Sequence, residues 1–122
     1  MLQIREWEGQ LGNNIVQVMN VLHVALYYKC GISVPPHKMF NISLINRPDE
    51  NKTNQNIQAE RNFFDRSKIL NISQEVWQIN YDEVIRILQN ALIVNNVPPL
   101  GPQDLVIHIR SGDIFGLSPH KN

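Results

Sequence analysis

The chain has 122 residues, one domain's worth, and at 43% hydrophobic it has enough apolar side chain for a core and does not have the composition of a disordered segment. Eleven Lys and Arg balance eleven Asp and Glu. The resulting zero net charge excludes a sequence-independent nucleic-acid binder and a protein held to anionic membrane by charge alone. The single cysteine, Cys30, excludes an intramolecular disulfide and a thiolate zinc cage.

Residues 2–8 alternate loosely, with apolar side chains at Leu2, Ile4 and Trp7, and predict a short strand. Gly9-Gln10-Leu11-Gly12-Asn13 interrupts it as a glycine loop. The stretch 14–29 then predicts a helix. It is apolar on most sides (Ile15, Val16, Val18, Met19, Val21, Leu22, Val24), contains no Gly or Pro, and is closed by Gly31. Gln17, Asn20 and His23 within it, and its shortness against the roughly 20 apolar residues of a membrane span, favour a buried helix of a layered fold. Ile32-Ser33-Val34, stopped by Pro35-Pro36, and the alternating run 40–45 predict two further short strands. Residues 46–60 are polar and predict an exposed loop, with short extended pieces after it at 61–65 and 68–72. Asn80 as cap, with Glu83 reaching back, opens a helix on which Val84, Ile85, Leu88 and Leu92 recur to about Asn95. A Pro/Gly connector at 98–103 precedes Leu105–Arg110, the most strand-like run of the chain. This order predicts an α/β fold with parallel strands: a domain over 1–97, the connector, and at 104–122 the first strand and loop of a second domain.

Two segments at predicted strand ends, where open α/β sheets bind ligands, carry the candidate chemistry. In the first, Gly9 and Gly12 let backbone approach a ligand, and the helix start offers unpaired N–H groups to phosphate. Asn13, Gln17 and Asn20 share one stripe of the helix, and the alternative for these amides is hydrogen bonding to neighbouring backbone. In the second, His108-Ile109-Arg110-Ser111-Gly112-Asp113, His108 and Arg110 point to one face of the strand. Arg110 brings a forked permanent cation to the sheet edge, Gly112 permits a sharp turn, and Asp113 either pairs with Arg110 or accepts from a sugar hydroxyl.

Together the Gly-x-x-Gly-Asn-x…Gln segment and the His-x-Arg-x-Gly-Asp segment resemble the fucosyltransferase superfamily, the α1,2-fucosyltransferase type with its α1,6- and protein-O-fucosyltransferase relatives. The resemblance implies a Rossmann-like layered α/β architecture, the first domain of a GT-B type glycosyltransferase. It implies fucose transfer from GDP-fucose to a glycan hydroxyl with inversion, with no cofactor and no metal. It assigns Arg110 to the leaving diphosphate as the catalytic cation, and His108, Ser111, Gly112 and Asp113 to the same donor pocket. Gly9, Gly12, Asn13 and Gln17 would approach the donor from the facing domain. Ser111 stands where many members have a second Arg, which lowers the cationic charge or replaces it with a hydroxyl donor. Because the base-holding domain comes after the second motif in that superfamily and this chain ends at Asn122, the expectation is a fragment lacking most of its C-terminal domain. The rival expectations are a non-catalytic remnant and a small α/β interaction domain in which both motifs are turns.

The other candidates read as structural. His23 is an interior hydrogen-bonded histidine, His37 and His120 lack metal-ligand spacing, Asp82 and Glu83 favour a helix dipole, and Cys30 is inert at a helix C-terminus. Trp7 and Trp77 are packing residues, with Trp7 near enough to the glycine loop to stack on a ligand. The sequons at Asn41, Asn51 and Asn71 are chance matches among fifteen asparagines. No secretory signal opens the chain, and its compartment is not legible.

Overall fold

The computed structural model describes residues 1–50, 57, 59 and 61–93. The order is β1 (Leu2–Gln3), α1 (Leu11–Tyr28), β2 (Ile32–Ser33), a 3₁₀ turn at Ile42–Leu44, a second at Arg66–Lys68, α2 (Val76–Ile79) and α3 (Tyr81–Ala91). β1 and β2 pair in parallel with Leu2 opposite Ile32, and α1 is the crossover between them. Leu2 N–H donates to Gly31 O (2.8 Å) and Ile4 N–H to Ser33 O (3.1 Å). On its other edge β2 is bridged antiparallel by Arg47.

α1 is rich in β-branched residues, which do not favour helix intrinsically. Burial overrides that preference, because every residue from Asn14 to Ala25 is buried. α1 packs against β1, β2, α2 and α3. The core gathers Ile15, Val18, Val21, Leu22 and Val24 of α1, Ile32 of β2 and Val34 just after it, Phe40, Ile45 and Phe63, and Val76, Val84, Leu88 and Ala91 of the last two helices. α3 presents Val84, Ile87, Leu88 and Ala91 inward, so of the expected stripe Val84 and Leu88 are buried while Ile85 and Leu92 are only partly so, and Ile87 and Ala91 take their places.

Several expected elements are corrected. The first strand closes at Gln3 rather than at residue 8, because the N–H groups of Arg5 and Glu6 donate to the Asn62 side chain instead of to a ladder. The alternating run 40–45 is not a strand. Asn41 Oδ1 accepts from Ser43 N–H and curls Ile42–Leu44 into a 3₁₀ turn. Asp65 does the same through Ser67 N–H, so extended pieces around 61–72 give way to a turn. α1 is closed by Lys29 in the left-handed region (φ 60°), not by glycine. Gly31 is required for another reason: a Cβ there would lie 2.6 Å from Arg47 O and 2.7 Å from Asp49 N. Asn80 precedes α3 but makes no side-chain cap, and Glu83 pairs with Arg86. α3 ends at Ala91, with Leu92 extended and bridged to Phe40. The connector at 98–103 and the strand and loop at 104–122 lie outside the described residues.

Candidate functional site

Beyond the carboxyl ends of β1 and β2 the chain assembles a small polar and aromatic surface. Gly9 takes φ +67°, a conformation that L side chains rarely adopt, and a Cβ there would sit 2.2 Å from Asn13 Nδ2. This turn lets α1 begin at Leu11, three residues earlier than the sequence predicts, so Gly12 and Asn13 belong to the first helical turn and not to a loop. Gln10 gives the helix no side-chain cap, and the first backbone bond onto the turn is Asn14 N–H to Gln10 O (3.0 Å). The amides of residues 11–13 therefore have no intrahelical acceptor and stand at the positive end of the helix dipole.

Trp7 lies beside this turn. Its ring stands edge-on to His37 (centroids 4.9 Å) and stacks with Phe40 (5.7 Å), and its Nε1–H donates to Pro36 O. His37 Nδ1 accepts from Met39 N–H, so the ring proton is on Nε2, which donates to Asn14 Oδ1 (2.9 Å). Partial burial, with Lys38 next in sequence, lowers the His37 pKa and holds the ring neutral. With both nitrogens engaged, His37 positions Asn14 and the helix start and has no nitrogen left to take a proton.

Gln17 is drawn inward. It is fully buried, and its amide is saturated within the protein: Nε2 donates to Glu6 O (3.1 Å) and Asn62 O (3.0 Å), while Oε1 accepts from Glu8 N–H (3.0 Å) and Asn14 Nδ2 (3.1 Å). Asn62, 3% exposed, completes the lock by accepting from Arg5 and Glu6 N–H and donating to Glu8 Oε2. The structure thus brings Gly9, Gly12 and Asn13 to one surface and places Gln17 beneath it, holding the β1–α1 connection in shape. His108, Arg110, Ser111, Gly112 and Asp113 lie outside the described residues.

Further along α1, Asn20 Nδ2 donates to Phe63 O and Phe64 O, and Asn20 Oδ1 accepts from Arg66 Nε. His23 is fully buried with Nδ1 on Val76 O (3.2 Å) and, among the described residues, no partner at Nε2. Burial, aided by nearby Arg66, lowers its pKa to about 4. Burial raises the Cys30 thiol above its usual range. Among the described residues no group of three His, Cys, Asp or Glu could hold a metal ion, and no helix is long and apolar enough to cross a membrane. Sequence reasoning missed Asn62, His37 and Arg66 as members of these networks. Their partners lie 23 to 57 residues away, and only the Pro35-Pro36 stop beside His37 hinted at a fixed turn.

No family model matches the chain, and neither do the curated proteins or the solved structures to which it was compared.

Proposed function

We propose that the chain belongs to the donor-handling machinery of a nucleotide-sugar-dependent glycosyltransferase, one that moves fucose from GDP-fucose to a glycan hydroxyl with inversion. The observation that carries this reading is the left-handed Gly9 turn opening α1. Three amides without intrahelical acceptors lie just beyond a parallel strand, on the segment whose Gly-x-x-Gly-Asn pattern resembles the fucosyltransferases. In the reaction the acceptor oxygen forms a bond to the anomeric carbon as the bond from that carbon to the diphosphate breaks. GDP departs with the electron pair, and the hydroxyl proton passes to a base or to the diphosphate. Arg110 is the proposed cation on the leaving group, and Gly12 and Asn13 the proposed backbone approach to the donor.

Titration of the chain with GDP and GDP-fucose, monitored calorimetrically, tests the binding half, with saturable micromolar affinity expected. In a transferase assay Arg110→Ala should cut turnover at least about 100-fold, the loss typical of removing a transition-state charge partner. Near-normal turnover in that variant overturns the assignment. The second reading, a non-catalytic binding or interaction domain, is favoured by Gln17, whose saturated amide gives the motif a structural purpose. It predicts no heat with either nucleotide.

A further inference from the structure

A second site is suggested some distance from the glycine turn, on different residues. Arg66 makes one side-chain hydrogen bond to a described residue, from Nε to Asn20 Oδ1 (2.8 Å), and its Cζ lies 4.3 Å from the centroid of the Trp77 ring. These two contacts fix the guanidinium in place and leave its Nη groups without a hydrogen-bond partner among the described residues. Arg66, half-buried, takes no part in the ion pairs Met1–Asp49, Arg61–Glu6 and Arg86–Glu83. Asn20 and Trp77 replace part of the hydration that partial burial removes, and an anion at the Nη groups would supply a charge partner as well.

The space for one is present. An open hollow of about 410 Å³ is lined by Arg66, Trp77 and Gln74 together with Ile69, Leu70 and Ile72. This volume lies in the range of small-molecule sites and well above that of a bare phosphate, so a ligand with a body as well as a charge fits it. Leu70 is 52% exposed, an apolar lip with nothing packed over it in the described structure. Because Trp77 and Asn20 already orient the fork, little side-chain entropy remains to be lost on binding. Asn20 is nine residues along α1 from Leu11, about 14 Å of helix, so this hollow is separate from the turn at Gly9.

We propose that this hollow binds a small anionic ligand whose phosphate or carboxylate oxygens sit on the Arg66 guanidinium and whose ring-sized body lies against Ile69, Leu70 and Ile72. The proposal does not rest on the glycosyltransferase reading, because it uses none of the residues of the glycine turn.

The test tracks the two indole Nε1–H signals by NMR, Trp77 reporting on the hollow and Trp7 on the glycine turn, during separate titrations with glucose 6-phosphate, glucuronate and uncharged glucose. Saturable shifts at Trp77 with one or both acids, not with glucose, are expected, and which acid binds tighter identifies the oxyanion. Arg66→Gln should weaken that binding at least about tenfold. Leu70→Glu, an exposed change that leaves the core intact, should weaken it at least about fivefold by like-charge repulsion at the lip, and it carries the test if Arg66→Gln fails to fold. Absence of saturable Trp77 shifts up to about 10 mM of both acids, or affinities unchanged in the folded variants, overturns the proposal. Shifts confined to Trp7 also overturn it, while leaving the reading of the glycine turn standing.

Discussion

The two halves of α1 treat their buried polar side chains in opposite ways. In the amino-terminal half, Asn14 and Gln17 join Asn62 in a network that occupies the Gln17 amide on both its oxygen and its nitrogen. In the carboxyl-terminal half, Asn20 is similarly satisfied, but among the described residues it hands on to an Arg66 whose Nη groups have no hydrogen-bond partner and lies one turn from a His23 whose Nε2 has none. A saturated buried network fixes shape, and its valences are already spent on the protein. Leftover valences show where an incoming group gains most, so the first half builds the candidate site and the second half is open to a ligand.

The largest way to break this contrast is Gln17→Leu. The substitution keeps the volume roughly and leaves Glu8 N–H, Glu6 O and Asn62 O without their partner. At about 1–3 kcal/mol for each buried unsatisfied group, the loss should be about 3 kcal/mol or more in urea unfolding, a large share of a small domain's stability. A loss below about 1 kcal/mol would show that water replaces the amide and that the network does not define the β1–α1 connection.

Next in size is the pH response of His23. The folded ring titrates near 4 where an unfolded histidine titrates near 6.5, because burial among Trp77, Tyr81 and α2, with Arg66 nearby, disfavours its charged form. The unfolded chain therefore binds the extra proton first as pH falls. Stability is unaffected above about 6.5, declines by about 1.4 kcal/mol per pH unit below it, and levels off below about 4 with a total loss of about 3 kcal/mol. His37 shifts in the same direction, so the His23 share is read as the difference between the parent chain and a His23→Leu variant across that window. Superimposable pH profiles for the two would mean that the ring is hydrated or paired in solution.

This contrast was only partly legible in the sequence. The run from Ile15 to Leu26 has no breaker, so α1 is readable in one dimension, as are the Ile32 strand and the Val84/Leu88 stripe of α3. Asn41 and Asp65 were misread because a short polar side chain can turn the backbone locally against an alternating pattern. The start of α1 was misplaced because Gly12, a poor helix former, is held in the first turn by the buried run Asn14–Ala25 on its C-terminal side. The glycine turn was legible as a motif at a strand end, but the fate of Gln17 was not. Whether a stripe amide meets a ligand or Asn62, 45 residues away, is decided by a tertiary contact that no local pattern encodes. Arg66 was invisible for the same reason, since its significance depends on Asn20 and Trp77 meeting around it.

The smallest effect sharpens the comparison most. His23→Leu at pH 7 removes a hydrogen bond to Val76 O and also removes an unpartnered Nε2, replacing a ring that lies between Trp77 and Tyr81 with an apolar side chain. The orphaned carbonyl costs about 1–3 kcal/mol, while release of the buried lone pair and the gain in apolar burial offset most of it. The net change expected in urea unfolding is within about 1 kcal/mol, against the much larger loss for Gln17→Leu on the same helix. A loss for His23→Leu as large as for Gln17→Leu would mean that Nε2 holds a partner in solution. Both halves of α1 would then be equally saturated, and the argument that the Arg66 end has valences to spare would fall with that result.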